Sequence, residues 1–201
     1  MKTINQLTGR VVDFSDYPWH LKDILPSAFE KQLSTSGYSE FLFFREKYEP
    51  GLPRRINPDF VLDRYQGEDK VLLVQPSFGH WDPELDIEPL ASILGLIDYN
   101  IRVLISTEIL IQDYYQVALQ KGVLLITVSV NDFEKLKTYS EKKIQIDLPN
   151  EIIQLDNDMI SFDVDPGAKN FLSQGMDLID YTLKYKNALA LYEANYQSFD
   201  E

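Results

Sequence analysis

Val71-Leu72-Leu73-Val74, Ile101-Arg102-Val103-Leu104-Ile105 and Val123-Leu124-Leu125-Ile126-Thr127-Val128 follow one another through the middle of the chain. Each run is too short for a buried helix and too uniformly apolar for a strand with one wet face. Each therefore predicts a strand buried on both faces. Between the first two lies Ile87 to Ile97, apolar enough to pack as a helix on a sheet. Between the second and third, Glu108 to Gln120 predicts a helix with Ile109, Tyr115 and Leu119 among its apolar positions. It stops at Lys121-Gly122, a cation in the last turn and then a C-cap glycine. After the third run, Asn131 or Asp132 is expected to cap a helix reaching about Tyr139. Strand and helix alternating in this way predict a parallel sheet with right-handed crossovers.

The flanks read differently. Ile4 to Phe14 predicts a short strand with a turn near Thr8-Gly9, and Ser27 to Leu33 one short helix. Phe41, Phe43, Phe44 and Tyr48 suit a core, or a face turned to a partner. Downstream, Lys143 to Leu148, Glu151 to Leu155 and Met159 to Val164 alternate or nearly so, separated by Pro149-Asn150 and Asn157-Asp158. That pattern predicts a β-meander. Helices near Pro166 to Gln174 and Met176 to Asn195 finish the chain; Tyr181, Tyr185, Tyr192 and Tyr196 fit packing on a sheet or an interface.

Composition bounds the function. The 201 residues suit one domain, and a net charge of -13 disfavours nucleic acid and anionic membranes as partners. Arg54-Arg55 and Lys142-Lys143 are the only dense basic spots. With no cysteine, the chain has no thiolate for zinc or an iron–sulfur cluster and no nucleophilic cysteine. No apolar run approaches a membrane span and no signal peptide opens the chain, so a cytoplasmic protein is expected. Phosphate-binding glycine motifs and a serine-nucleophile elbow are both missing.

Several segments, in order, resemble one family. Leu7-Thr8-Gly9-Arg10-Val11-Val12, Ile24-Leu25-Pro26 with Phe29, and above all Ile56-Asn57-Pro58-Asp59-Phe60-Val61-Leu62 are similar to its opening. Phe78-Gly79, Asp98-Tyr99 with Ile101-Arg102-Val103, Lys121-Gly122-Val123-Leu124-Leu125-Ile126, Phe162-Asp163-Val164-Asp165-Pro166 and Gly175-Met176-Asp177 continue the likeness. The family is the small subunit of 3-isopropylmalate dehydratase (isopropylmalate isomerase), related to the mobile domain of aconitase. The resemblance implies one α/β aconitase-swivel-like domain over residues 1–201. Its short central, largely parallel sheet would be flanked by helices, with a β-meander and C-terminal helices added. It implies a heteromer in leucine biosynthesis, interconverting 2- and 3-isopropylmalate by removing and re-adding water. No cofactor is expected in this chain: in that family a [4Fe-4S] cluster belongs to the large subunit. The small subunit supplies a serine for proton transfer and an arginine for a substrate carboxylate. The expected partner is that large subunit, or a second copy in a homo-oligomer.

The sequence departs from the family at the chemistry. Where the serines and arginine should stand, the loop Phe78 to Asp86 offers Asp82, Pro83 and Glu84. A glutamate in place of an arginine fork would repel the carboxylate that the fork holds, and proline has no hydroxyl or N–H to give. His20-Leu21-Lys22-Asp23 has lost the polar pattern of a second family motif, and Thr107-Glu108 replaces a Ser-Phe pair. The catalytic set is therefore read as none, with His80, Asp82 and Glu84 the candidates that the altered loop leaves. His80 suits a general base beside a carboxylate. His80, Asp82, Glu84, Asp86 and Glu88 also suit a hard-cation site, or simply a solvated loop feeding an acidic helix start. His20, beside Trp19 and Lys22, is a second histidine candidate. Arg102 and Arg64 are the arginines that would have to fill the vacancy. Two functions stay open: a subunit of a hydro-lyase or isomerase for a small hydroxy acid, and a catalytically impaired interaction or regulatory protein that keeps the fold.

Overall fold

The computed structural model describes residues 3–29, 36–51, 53–80 and 89–175. Strand β1 (Gln6–Asp13) is followed by short helices α1 (Leu21–Ile24), α2 (Phe44–Lys47) and α3 (Val61–Arg64). Then come β2 (Lys70–Leu73), α4 (Leu90–Asp98), β3 (Ile101–Ser106), α5 (Gln112–Gln120) and β4 (Leu124–Thr127). Helix α6 (Val130–Lys137), the meander β5 (Lys143–Asp147), β6 (Ile152–Gln154) and β7 (Met159–Ser161), and α7 (Pro166–Gln174) complete the order. One seven-stranded sheet runs β4-β3-β2-β1-β5-β6-β7. Its β1 to β4 half is parallel, and β1, β5, β6 and β7 pair antiparallel. The meander thus continues the parallel sheet through β1.

This order fixes where the helices go. The crossovers β1→β2→β3→β4 all step the same way, and right-handed connections that do so lie on one face. One core holds Leu21, Ile24, Phe43, Leu62, Ile93, Leu96, Tyr114 and Ala118 of those connections against Val12, Leu72 and Leu104. The opposite face carries Val11, Val71, Leu73, Val103, Ile105 and Leu124, covered by Phe133 and Leu136 of α6, Leu172 of α7 and the inner side of the meander. Alternate residues of β2 serve the two cores, as a period of two requires. In β3 the period slips: the register jumps from Lys70↔Ile101 to Val71↔Val103. Arg102 is the extra residue of this bulge, so Ile101 and Val103 enter opposite cores. The sheet curls until its two ends meet, Thr127 bridging Asp163.

Several expectations need correction. No turn interrupts β1: a Cβ on Gly9 would lie 2.8 Å from Val71 Cγ2. This glycine admits a neighbouring side chain and does not turn the chain. Helix α5 begins at Gln112, later than Glu108; Ile109 is 73% exposed, and the buried tyrosine is Tyr114. Helix α6 is capped by Ser129, not by Asn131 or Asp132: Ser129 Oγ accepts from Asp132 N and donates to Asp132 Oδ2. Ser27–Phe29 is a 3-10 turn, and the rest of the helix expected there lies outside the described residues, as does that from Met176 to Asn195. Phe43 is core, while Phe41 and Phe44 stack half-buried on Phe29 at 4.4 and 5.0 Å.

Glu68 staples β1, β2 and β5 from the side, bonding Arg10 at 2.9 Å and Lys143 at 3.1 Å. Lys143 and then Arg10 hold its carboxyl below the ordinary 4.5. A carboxylate held low contributes fully above its unfolded value and loses that contribution as pH falls through the folded one. Glu68→Gln should therefore lower the urea midpoint at pH 7, and the gap to the parent should close at a pH low enough to protonate Glu68. A gap that persists at that pH would refute this account.

Candidate functional site

In parallel sheets ligands gather outside the carboxyl ends of the strands. Here the connections after β1 and β2 meet at that edge and are laced together. Phe14 N donates to Leu73 O, Gly79 N to Trp19 O and Leu21 N to His80 O, at 2.8–2.9 Å. Gln75 Nε2 donates to Ser15 O at 2.6 Å. His20 and His80 form a parallel bridge, with ring centroids 5.6 Å apart. Gly79 makes the turn possible: its φ is +72°, and a Cβ would strike the Tyr114 ring, 2.7 Å from Cγ. Tyr114 is fully buried, edge-on to Phe78 at 5.8 Å. Burial pushes its phenol far above the ordinary range. Ser92 Oγ donates to Pro89 O, and among the described residues Tyr114 Oη has no hydrogen-bond partner.

A cleft of about 220 Å³ opens at the end of β1. Trp19 and Phe60 form its apolar wall, and Asp13, Asp16, Glu46 and Asp59 bring carboxylates to it. Trp19 is fixed by Nε1 donating to Phe14 O at 3.0 Å and by Phe14 and Phe43 at 5.4 and 4.9 Å. Asp13 Oδ1 is held by Ser15 N and Oγ at 2.9 and 2.6 Å. Among the described residues no lysine or arginine lines this cleft. Arg64 is drawn between Asp59 and Glu141 at 3.6 and 3.5 Å. Arg102 sits at the opposite, amino end of the strands, with Nε buried and, among the described residues, without a partner. Neither arginine lines the cleft. Thr107-Glu108 forms a tight turn in which Ser106 Oγ donates to Glu108 O and accepts from Glu108 N.

Of the candidates from sequence, His20 and His80 are brought together. Asp82 and Glu84 lie outside the described residues, as do Asp86 and Glu88. The pairing was not visible in the sequence, where the two histidines stood as separate candidates. The available signal was positional, since each follows one of two strands that prove to be neighbours. Among the described residues no group of three or more His, Cys, Asp or Glu is placed to hold a metal, and no helix is long and apolar enough to cross a membrane.

No protein-family model matches the chain. Individual relatives do. The 3-isopropylmalate dehydratase small subunit of Lactococcus lactis subsp. cremoris is 31% identical over 179 residues, 87% of this chain and 88% of that one. That of Aromatoleum aromaticum is 30% identical, covering 96% of this chain and 94% of its own. The small subunit of Listeria monocytogenes is 28% identical over 98% of this chain and all of its own. In three dimensions, the crystal structure of 3-isopropylmalate dehydratase from Methanocaldococcus jannaschii superposes with a TM-score of 0.64 over 93% of this chain and 99% of that one. At 16% identity this likeness speaks for the fold, the swivel-type α/β arrangement that the sequence suggested. With relatives aligned along nearly their whole length and a shared fold, the chain belongs to the family of the 3-isopropylmalate dehydratase small subunit.

Proposed function

We propose that this chain acts as the small subunit of a two-chain hydro-lyase of leucine biosynthesis, and that this copy is impaired on isopropylmalate. The end-to-end alignment with small subunits carries the first half. A large-subunit partner also suits the rim of the sheet. Tyr17, Leu90, Ile109 and Val130 are 48%, 36%, 73% and 65% exposed, and each follows a different strand of the parallel half at its carboxyl end. Single exposed apolar residues are ordinary, but one from every connection along one edge suits docking on another chain. The cluster that such an enzyme uses as a Lewis acid would sit on that partner. This chain has no cysteine to hold one.

The second half rests on charge. The substrate is a dicarboxylate, while the cleft presents Asp13, Asp16, Glu46 and Asp59, and the sequence carries Asp82 and Glu84 where the family has serine and arginine. Like charges brought into a cleft raise the cost of binding. Losing a positioned proton-transfer group typically costs 10²-fold or more. The same cleft supports the alternatives of a non-catalytic interaction protein or of a different hydroxy acid.

The test is co-expression with a large subunit of the same organism, followed by co-purification and hydration of isopropylmaleate. We expect a stable complex that turns over at least about 10²-fold more slowly than one whose small subunit keeps the serine and arginine. Full turnover would refute the impairment, and failure to associate would refute the subunit role.

A further inference from the structure

The chain has only two histidines, and the fold places them side by side. From this we infer that His20 and His80 together bind a divalent transition-metal ion of the zinc type. Their ring planes stand at 84°, with centroids 5.6 Å apart. A zinc-type ion lies about 2.0–2.1 Å from each imidazole nitrogen, which sets two ligating rings about 5–6 Å apart between centroids. Neighbours across a parallel bridge, the two rings lie close enough for each to turn one nitrogen toward a shared ion. The backbone holds this spacing. Gly79 N bonds Trp19 O and Leu21 N bonds His80 O on either side of the bridge.

His20 stands at the N-cap of α1, yet its side chain makes no capping bond, and no described residue hydrogen-bonds either imidazole. Imidazole suits zinc, nickel and copper; magnesium and calcium prefer oxygen ligands. A net charge of -13 favours a cation over an anion as the ligand. No third described side chain joins the pair. Water would complete the coordination.

The experiment is titration of the full chain, free of any affinity tag, with zinc chloride. Heat of binding and the proton NMR signals of the imidazoles would be followed together. Because there are two histidines, both sets of imidazole signals should move at one equivalent, without need of a variant. His20→Gln and His80→Gln should each weaken binding at least tenfold with the fold unchanged by circular dichroism. The inference is overturned if zinc is not taken up at 1 mM, if only one imidazole responds, or if both variants bind as the parent does.

Discussion

Gly79→Ala should cost about 2–5 kcal/mol of stability, since a left-handed backbone costs an L side chain about 1–2 kcal/mol and overpacking a core about 1–3. Both terms arise at one atom. At φ +72° the new Cβ is strained wherever it points, and here it points into the Tyr114 ring. That ring is fully buried and edge-on to Phe78, so it cannot swing clear without opening the core. The readout is the urea midpoint, with an unchanged slope. A second variant separates the terms: Gly79→Ala with Tyr114→Leu should recover much of the clash and none of the backbone strain. A midpoint within 0.5 kcal/mol of the parent for the single variant would refute the role given to this glycine. The change should also reach function, because Gly79 aims His80 at His20 through its bond to Trp19.

Replacing Asp82, Pro83 and Glu84 together by Ser, Ser and Arg should tighten binding of isopropylmalate by about 10- to 100-fold, the worth of one charge-assisted carboxylate clamp. Glutamate to arginine removes a repelling charge and adds a planar fork suited to a carboxylate. Titration of the variant complexed with its large subunit would measure the gain. If affinity stays level, the acidic groups on the β1 side, Asp13, Asp16, Glu46 and Asp59, dominate the cleft. The altered loop would then not be the source of the proposed impairment.

The parallel half of the fold was legible because burial on both faces leaves an unmistakable mark: Val71 to Leu73 and Val103 to Ile105 are all buried. Errors came where one residue type serves two purposes. Gly9 looked like a turn, yet it makes room for Val71. Ser129 was overlooked beside Asn131 and Asp132, since all three residue types cap helices and only the backbone decides which stands first. Tyr114 and Tyr115 are adjacent, and a shift in the start of α5 decides which faces inward. The His20–His80 pair required knowing that β1 and β2 are neighbours, information that resides in the sheet order and in no local pattern.

The bridge between Thr127 and Asp163 bears on how the chain behaves in a crowded solution. A strand at the border of a sheet displays unpaired amides and carbonyls that can template another chain, the usual start of aggregation. Curling β4 onto the segment after β7 turns both borders toward each other, so each shields the other. The shield is one bridge wide, and behind it lies the apolar run Val123 to Val128. Solubility at high concentration thus depends on a seam far from the cleft, and amide exchange at Thr127 would be the earliest sign of its opening.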